Sequence, residues 1–238
     1  MAERLKIAVF ASGKGSNLES ILNSIESCKI IHADIVCVIS NNSNAGALEI
    51  AKQKNIPAVH INRQQYLTDE EFNVALIKKL NEFAANFIVL AGYMKMLSST
   101  IIRKYKNRII NIHPALLPKF GGKGMYGIHV HEAAIASGDK VSGATVHFVD
   151  EEYDHGSTIM QETVNIDTTE TAGTLAAKIL KIEHKIFPEV VRLFSEGKIY
   201  NTYKEYRKRF SSLLHAERHF HEQSSSNFRR FAFTNHQE

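Results

Sequence analysis

The 238 residues predict an α/β fold with a Rossmann-like, doubly wound and mostly parallel sheet, ending in an antiparallel C-terminal part. Three observations carry that reading. Short apolar runs alternate with amphipathic stretches, which implies parallel strands covered by helices on both faces. Two stretches near the end, GATVHFV (143–149) and TIMQETV (158–164), follow each other with only a polar loop between them and read as paired strands. The chain is 44% hydrophobic and long enough to bury a sizeable core in one domain. The right-handed crossover rule then leaves the doubly wound sheet as the best solution.

Each element has its own warrant. KIAVF (6–10) is the first strand, and Leu18, Ile21, Leu22 and Ile25 then recur at helical spacing. IVCVIS (35–40) is the second strand. The turn-rich NNSNAG follows, leading into a helix over 45–54. AVHI (58–61) is the third strand. Thr68 and Glu71 have the spacing of a capping box, and Phe72, Leu76, Leu80 and Phe83 form one helical face. FIVLA (87–91) and RIINI (108–112) are the fourth and fifth strands. A helix over 129–137 precedes the paired strands, and a long helix over 171–195 follows them.

Composition excludes several classes. No apolar run approaches the ~18 residues of a membrane span. The N-terminus MAERLKIAVF has no signal-peptide pattern and runs straight into the first strand. Cys28 and Cys37 are too few for a disulfide framework or a zinc cluster. Cys28 falls on a helical apolar stripe and Cys37 inside a strand. Both therefore read as reduced core thiols of a cytoplasmic protein. Of 29 basic and 25 acidic residues, eight basic and four acidic ones fall after residue 197, so the whole net charge of +4 belongs to the end of the chain. The body gives no reason to expect nucleic acid as a partner. Two regions follow: a domain at 1–200 and a basic tail at 201–238, partly helical at first and then mobile. The tail's His215 and His219 have i, i+4 spacing. No carboxylate or cysteine stands at ligand distance in sequence, so surface histidines are expected there rather than a metal site.

Three stretches carry chemistry. The first is ASGKGSNLES (11–20), between the first strand and the first helix. There glycines let backbone approach an anion, and free helix N–H groups point at it. The third glycine of a dinucleotide fingerprint would fall at Leu18, and Lys14-Gly15 lacks the ending of a P-loop. A monophosphate on Gly15, Ser16 and Asn17 is one reading. A glycine turn with Ser16 or Asn17 capping the helix is the other, and pattern alone leaves both open. The second stretch is NRIINIHPALLPKFGG (107–122). Asn111 and His113 are two apart, so they project from one strand face, ahead of Pro114 and Pro118. An amide donor and an imidazole on one face can polarise a carbonyl and move a proton. A lone histidine at a strand end is more often structural; the paired amide is what favours the catalytic reading. The third is HFVDEEYDHGSTI (147–159). It is either a solvated hairpin loop or a loop that turns one carboxylate inward to keep His113 protonated. Spacing does not choose the carboxylate.

GKGSNL, AGYMKML, NIHPALLPKF, HFVDEEYDHG and IEHKIFP occur together and in this order. Over residues 5–195 the chain thereby resembles the folate-dependent phosphoribosylglycinamide formyltransferase family. The resemblance implies formyl transfer from 10-formyltetrahydrofolate to the amine of N1-(5-phosphoribosyl)glycinamide in de novo purine synthesis. The route would be direct attack and an oxyanionic tetrahedral intermediate, with no metal. It implies that Asn111, His113 and Asp154 are the catalytic set. It implies that Gly15, Ser16 and Asn17 hold the phosphate and that Glu183 accepts from the ribose hydroxyls. Met94, Lys95, Met96 and Leu97 would border the pterin, and the loop of Asp150, Glu151, Glu152, Tyr153 and Asp154 would close on it. The partners implied are small molecules, with no membrane, and a homodimer stays open. The alternatives are a formyltetrahydrofolate hydrolase, which would be expected to carry an extra N-terminal domain, and a non-catalytic Rossmann-type nucleotide-binding protein. This sequence departs from the family in three places. The segment GGKGMYGIHVHEA is longer than the shortest family version. No basic residue but Arg63 stands as a candidate for the folate glutamate tail, and Asp69, Glu70 and Glu71 occupy the expected neighbourhood. Leu180 stands where some members have a polar residue.

Overall fold

The structure is a computed structural model and describes residues 4–199. The chain divides into two units, Met1–Glu196 and Gly197–Glu238, and one sheet with its helices forms the first. The reading of 201–238 as a basic tail lies outside the described residues.

Five strands run parallel: β1 (Leu5–Phe10), β2 (Ala33–Ser40), β3 (Ala58–His60), β4 (Phe87–Leu90) and β5 (Ile109–His113). β6 (Val141–Phe148) and β7 (Thr158–Asn165) continue the sheet antiparallel. The spatial order is β3-β2-β1-β4-β5-β6-β7. The predicted fold class is therefore the observed one. Among the described residues the six helices are α1 (Ser16–Glu26), α2 (Gly46–Gln53), α3 (Asp69–Glu82), α4 (Ser99–Lys104), α5 (Ile128–Ala136) and α6 (Ala172–Ser195). A 3-10 turn spans Arg63–Gln65.

The strands are dry because helices cover both faces. Ile7, Ala8, Val9 and Phe10 of β1 are fully buried, as are Leu18 and Ile21 of α1 and Leu76 and Leu80 of α3. Thr68 and Glu71 form the capping box read from their spacing. On the other side Phe194 of α6 packs on Phe87 with ring centroids 4.8 Å apart. Burial at about 25 cal/mol per Å² makes these contacts the main support of the fold.

Chain order reverses at β1, since β2 lies on one side of it and β4 on the other. In open α/β sheets a crevice forms at such a switch point, beyond the carboxyl ends of the strands. Here the loops after β1 and β4 are tied together. Ser12 N–H donates to the Gly92 carbonyl at 3.0 Å, and Met94 N–H donates to Ser12 Oγ at 2.9 Å.

Two local expectations are corrected. Cys28 is exposed rather than a core thiol. α1 ends at Glu26, and the chain reverses through Cys28 at φ 58°, which takes its side chain off the helical stripe. Cys37 is buried, and burial pushes its thiol up to about 12. α4 and the 3-10 turn carry too few residues to show a period, and periodicity does not find them.

Candidate active site

The site begins where β5 ends. Asn111 is half-buried and His113 is 4% exposed, so a polar pair does close an otherwise dry strand. The antiparallel neighbour adds a third group, because the register sets Asn111 opposite His147 and His113 opposite Thr145. Asn111 Nδ2 lies 3.0 Å from His147 Nε2, and His147 Nδ1 lies 2.8 Å from the Phe148 carbonyl. A carbonyl only accepts, so Nδ1 carries the proton and Nε2 accepts from the Asn111 amide.

Asp154 arrives from the β6–β7 loop, held at φ 54°, a left-handed conformation that favours residues with short polar side chains. Its Oδ2 accepts from Gly122 N–H at 3.0 Å and stands 3.5 Å from His113 Nδ1. Its Oδ1 is 3.6 Å from His147 Nε2. Gly156, two residues on, permits this turn: a Cβ there would lie 1.9 Å from the Phe148 carbonyl oxygen. Burial pushes the Asp154 carboxyl up. His147, the His113 ring and the Gly122 N–H outweigh it and hold the group below the ordinary carboxylate range.

Asp154 does turn inward to meet His113. Burial, the largest influence, holds the His113 ring below the ordinary histidine range, and Asp154 and the Phe120 carbonyl oppose it. At 3.5 Å Asp154 is outside the distance of about 2.7–2.9 Å of a charge-assisted hydrogen bond. The other ring nitrogen, Nε2, donates to the Phe120 carbonyl at 2.8 Å.

The first turn has a packing role as well. Gly15 is the N-cap of α1 at φ 87°, and neither Ser16 nor Asn17 caps the helix. A Cβ on Gly15 would lie 2.8 Å from Ala47 Cα, so this glycine lets α2 approach. With no side-chain cap, the first N–H groups of α1 stay available. Asn17 is buried, and its Nδ2 donates to Glu183 Oε2 of α6 at 2.7 Å. Burial pushes the Glu183 carboxyl above its ordinary range, and the Asn17 hydrogen bond opposes that.

A cavity of about 710 Å³ joins these parts. Its walls include Asn17, Glu183, Asn111, His113 and Asp154. Met94, Lys95, Met96 and Leu97 line it too, with Asp150, Glu152 and Tyr153. Gly15, Ser16 and Glu151 are not among its lining residues, and Glu151 instead lies 3.5 Å from the Arg103 guanidinium. Arg63 is paired with Asp69 and lies outside this cavity, in a neighbouring one of about 490 Å³. Leu180 lines the main cavity beside Ala176 and Ala177. Among the described residues no group of three or more His, Cys, Asp or Glu could hold a metal ion, and no helix is long and apolar enough to cross a membrane.

The sequence reading passed over two histidines of this cavity. His147 is visible only once the β5–β6 register is known. His131 of α5 is 5% exposed, lines the cavity, and has a buried Nδ1 with no partner among the described residues. Its signal was the HVHEA pattern, read only as a helix start.

Comparison with known proteins agrees with this arrangement. The family model for formyl transferase matches residues 5–191. A chloroplastic phosphoribosylglycinamide formyltransferase of Vigna unguiculata is 41% identical over 199 residues, covering 82% of this chain and 62% of that one. Its counterpart in Arabidopsis thaliana is 39% identical and covered to 67%. The chain spans 19% of the trifunctional purine biosynthetic protein adenosine-3 of Gallus gallus, at 38% identity. Among solved structures, glycinamide ribonucleotide transformylase 1 of Symbiobacterium toebii superposes with a TM-score of 0.77 at 36% identity, covering 83% of this chain and 90% of that one. A formyltetrahydrofolate deformylase of Pseudomonas syringae superposes at 0.73 with 26% identity, covering 82% and 63%. The matched span takes in the whole sheet and every wall of the cavity, and the chain belongs to the formyl transferase family, among its phosphoribosylglycinamide formyltransferases.

Proposed function

We propose that this chain transfers the formyl group of 10-formyltetrahydrofolate to the amine of N1-(5-phosphoribosyl)glycinamide, in de novo purine synthesis. One observation carries the reading. The Asn17–Glu183 pair, suited to a phosphorylated ribose, and the Asn111–His113–Asp154 group, suited to a formyl oxygen, line a single cavity. The walls fit the folate co-substrate. Met94, Met96 and Tyr153 offer exposed apolar surface to a flat ring, beside carboxylates and backbone groups that can bond its edge. That co-substrate supplies an activated formyl carbon.

The chain's own residues then have defined work. Asn111 has two amide N–H donors and spends one on His147, so the second remains for the formyl oxygen. His113 meets the same oxygen, and negative charge developing there favours uptake of a proton by its ring. A donor placed for an oxyanion is worth about 3–4 kcal/mol of barrier. Asp154, held ionised, takes a proton from the attacking amine through water and returns it to the departing folate nitrogen. One C–N bond forms, one breaks, and the proton count balances. Gly15, Ser16 and Asn17 supply backbone N–H groups for the phosphate, and Glu183 accepts from the ribose.

A hydrolase is the second reading, favoured by the likeness to the deformylase. Incubation with formyl-folate, with and without the ribonucleotide, decides between them. Formylated ribonucleotide must appear in step with folate release. Folate release indifferent to the ribonucleotide would sink the transferase reading. We place the reaction in the cytoplasm, on the free thiols of Cys28 and Cys37. Two relatives are named chloroplastic, so fractionation is the test of that placement. A homodimer is a matter for sedimentation.

A further inference from the structure

Asn17 and Glu183 are 166 positions apart and meet at 2.7 Å inside the cavity wall. Each is 8% exposed. Glu183 projects from the middle of α6 among Ala176, Ala177 and Leu180, which offer it no hydrogen bond. Asn17 Nδ2 is its one hydrogen-bond donor among the described residues. A carboxylate so enclosed needs a partner to remain charged, because an unpaired buried charge is costly. The same Asn17 lies in the first turn of α1, which no side chain caps among the described residues.

From this we infer that Asn17 is the positioning residue for Glu183, resting on the acceptor reading above: its side chain turns the carboxylate and keeps it ionised for the ribose hydroxyls, while its backbone faces the phosphate. Phosphate and ribose are then read by one coupled pair rather than by two independent sites. The carboxylate keeps one oxygen, Oε1, for the substrate, since Oε2 is occupied by the amide. Leu180 offers no polar group that could take over the role of Asn17.

The coupling has a signature in pH. Burial raises Glu183 and Asn17 lowers it, so removing the amide donor moves its titration further up. Other titratable groups stand on the elements packed against α6 and must be separated from it. They are Glu19 on α1, His129, His131 and Glu132 on α5, His147 on β6, and Glu162 on β7, which is paired with Lys185. On α6 itself His184 is the neighbour, held below its ordinary range by burial with Glu19 opposing. The substrate phosphate also titrates near pH ~6.

The test uses the full chain with Asn17→Ala, Asn17→Asp, Glu183→Gln and the double change Asn17→Ala with Glu183→Gln. Steady-state kinetics are read across about pH 5–9, and the Glu183 carboxyl is titrated by carbon-13 NMR, assigned by its loss in Glu183→Gln. Asn17→Ala should raise KM for the ribonucleotide about tenfold and move the acid limb of kcat/KM up by about one pH unit, the size of one hydrogen bond to a charge. KM for formyl-folate and kcat at saturation should stay within about twofold. Asn17→Asp, which removes the donor without leaving a cavity, should move the limb at least as far. On the Glu183→Gln background Asn17→Ala should add less than about twofold. A KM increase of the same size at every pH, fully additive with Glu183→Gln, would overturn the inference. So would an unmoved Glu183 resonance in Asn17→Ala. The NMR arm needs no turnover, so an absent transferase activity with a shifted Glu183 would sink the functional reading and keep the coupling.

Discussion

Asn111 and His113 each spend one hydrogen-bonding atom on the protein, and what remains is what a substrate can use. Asn111 is held by His147, and His113 by the Phe120 carbonyl. Replacing His113 by Leu, which has no donor, should therefore lower kcat about 10²–10³-fold, the usual cost of a lost oxyanion donor. Ala is the poorer probe, because His113 is only 4% exposed and truncation leaves a hole. His147→Phe should lower kcat by a smaller factor and leave both KM values alone, since it only frees Asn111 to turn. Wild-type turnover in His113→Leu would remove the mechanism. The Asn111–His113 pair was legible because strand alternation puts both on one face. His147 was not, since it depends on a strand register, and Asp154 was reached only through the family resemblance, since it depends on a loop turn that no local pattern encodes. The burial of His113 was not legible for a related reason: a sequence shows that a carboxylate is near, but not how deeply the ring is buried. Glu183 offers a second test at this scale. Its carboxyl is raised by burial, so the folded state favours the protonated form. The stability this contributes is complete below the unfolded pKa and is lost as pH rises through the folded one. Glu183→Gln should thus raise Tm at neutral pH, on the order of 2–4 °C per kcal/mol in a chain of this size, and leave it unchanged under acid conditions. A Tm gain as large in acid as at neutrality would show that the charge is not the cause.

At the scale of elements, the turn from β1 into α1 separates packing from binding. Gly15 has φ 87° and no room for a Cβ beside Ala47. Gly15→Val should therefore lower Tm and weaken both ligands alike, since it pushes α2 away from the sheet. Gly13 has no atom within 4 Å of an added Cβ and an ordinary φ. Gly13→Val should leave Tm near its native value and raise KM for the ribonucleotide selectively, because bulk there obstructs an anion approaching the backbone. Equal weakening of both ligands in Gly13→Val would return the loop to a structural turn. β1, β2, β4 and β5 were legible in the sequence as apolar runs, because a buried strand needs them whatever its neighbours; the largely exposed β7 was legible only as the partner of β6 across a polar loop. The long helices were legible from their stripes. α4 was not: Ile101 and Ile102 are its buried residues, and two adjacent positions define no period. Cys28 shows the opposite failure, a stripe extended one turn past the residue at which the helix ends.

At the scale of the molecule, the fold and the formyl-activating group do not distinguish a transferase from a hydrolase. A deformylase superposes on this chain with a TM-score of 0.73, so the sheet order serves both chemistries. Both need a polarised formyl group, so Asn111, His113 and Asp154 serve both as well. The distinction must lie in what holds the nucleophile. Water needs no holder; a phosphorylated amine needs one at each end. This chain brings such holders from opposite ends of the sequence, the first turn with Asn17 and the α6 carboxylate Glu183, into one cavity wall. Their 2.7 Å contact shows that α1 and α6 are set against each other at this point rather than merely near. Formyl transfer should accordingly dominate, with hydrolysis slow when the ribonucleotide is absent. Glu183→Ala should raise KM for the ribonucleotide by one to two orders of magnitude, as lost hydrogen bonds to a carboxylate worth about 1.5–3 kcal/mol require. The same change should leave formyl-folate binding unchanged, measured by fluorescence titration of the folate alone. If Glu183→Ala instead leaves the ribonucleotide KM untouched while formyl-folate is hydrolysed rapidly with or without the acceptor, the nucleophile is water and the α1–α6 contact is structural.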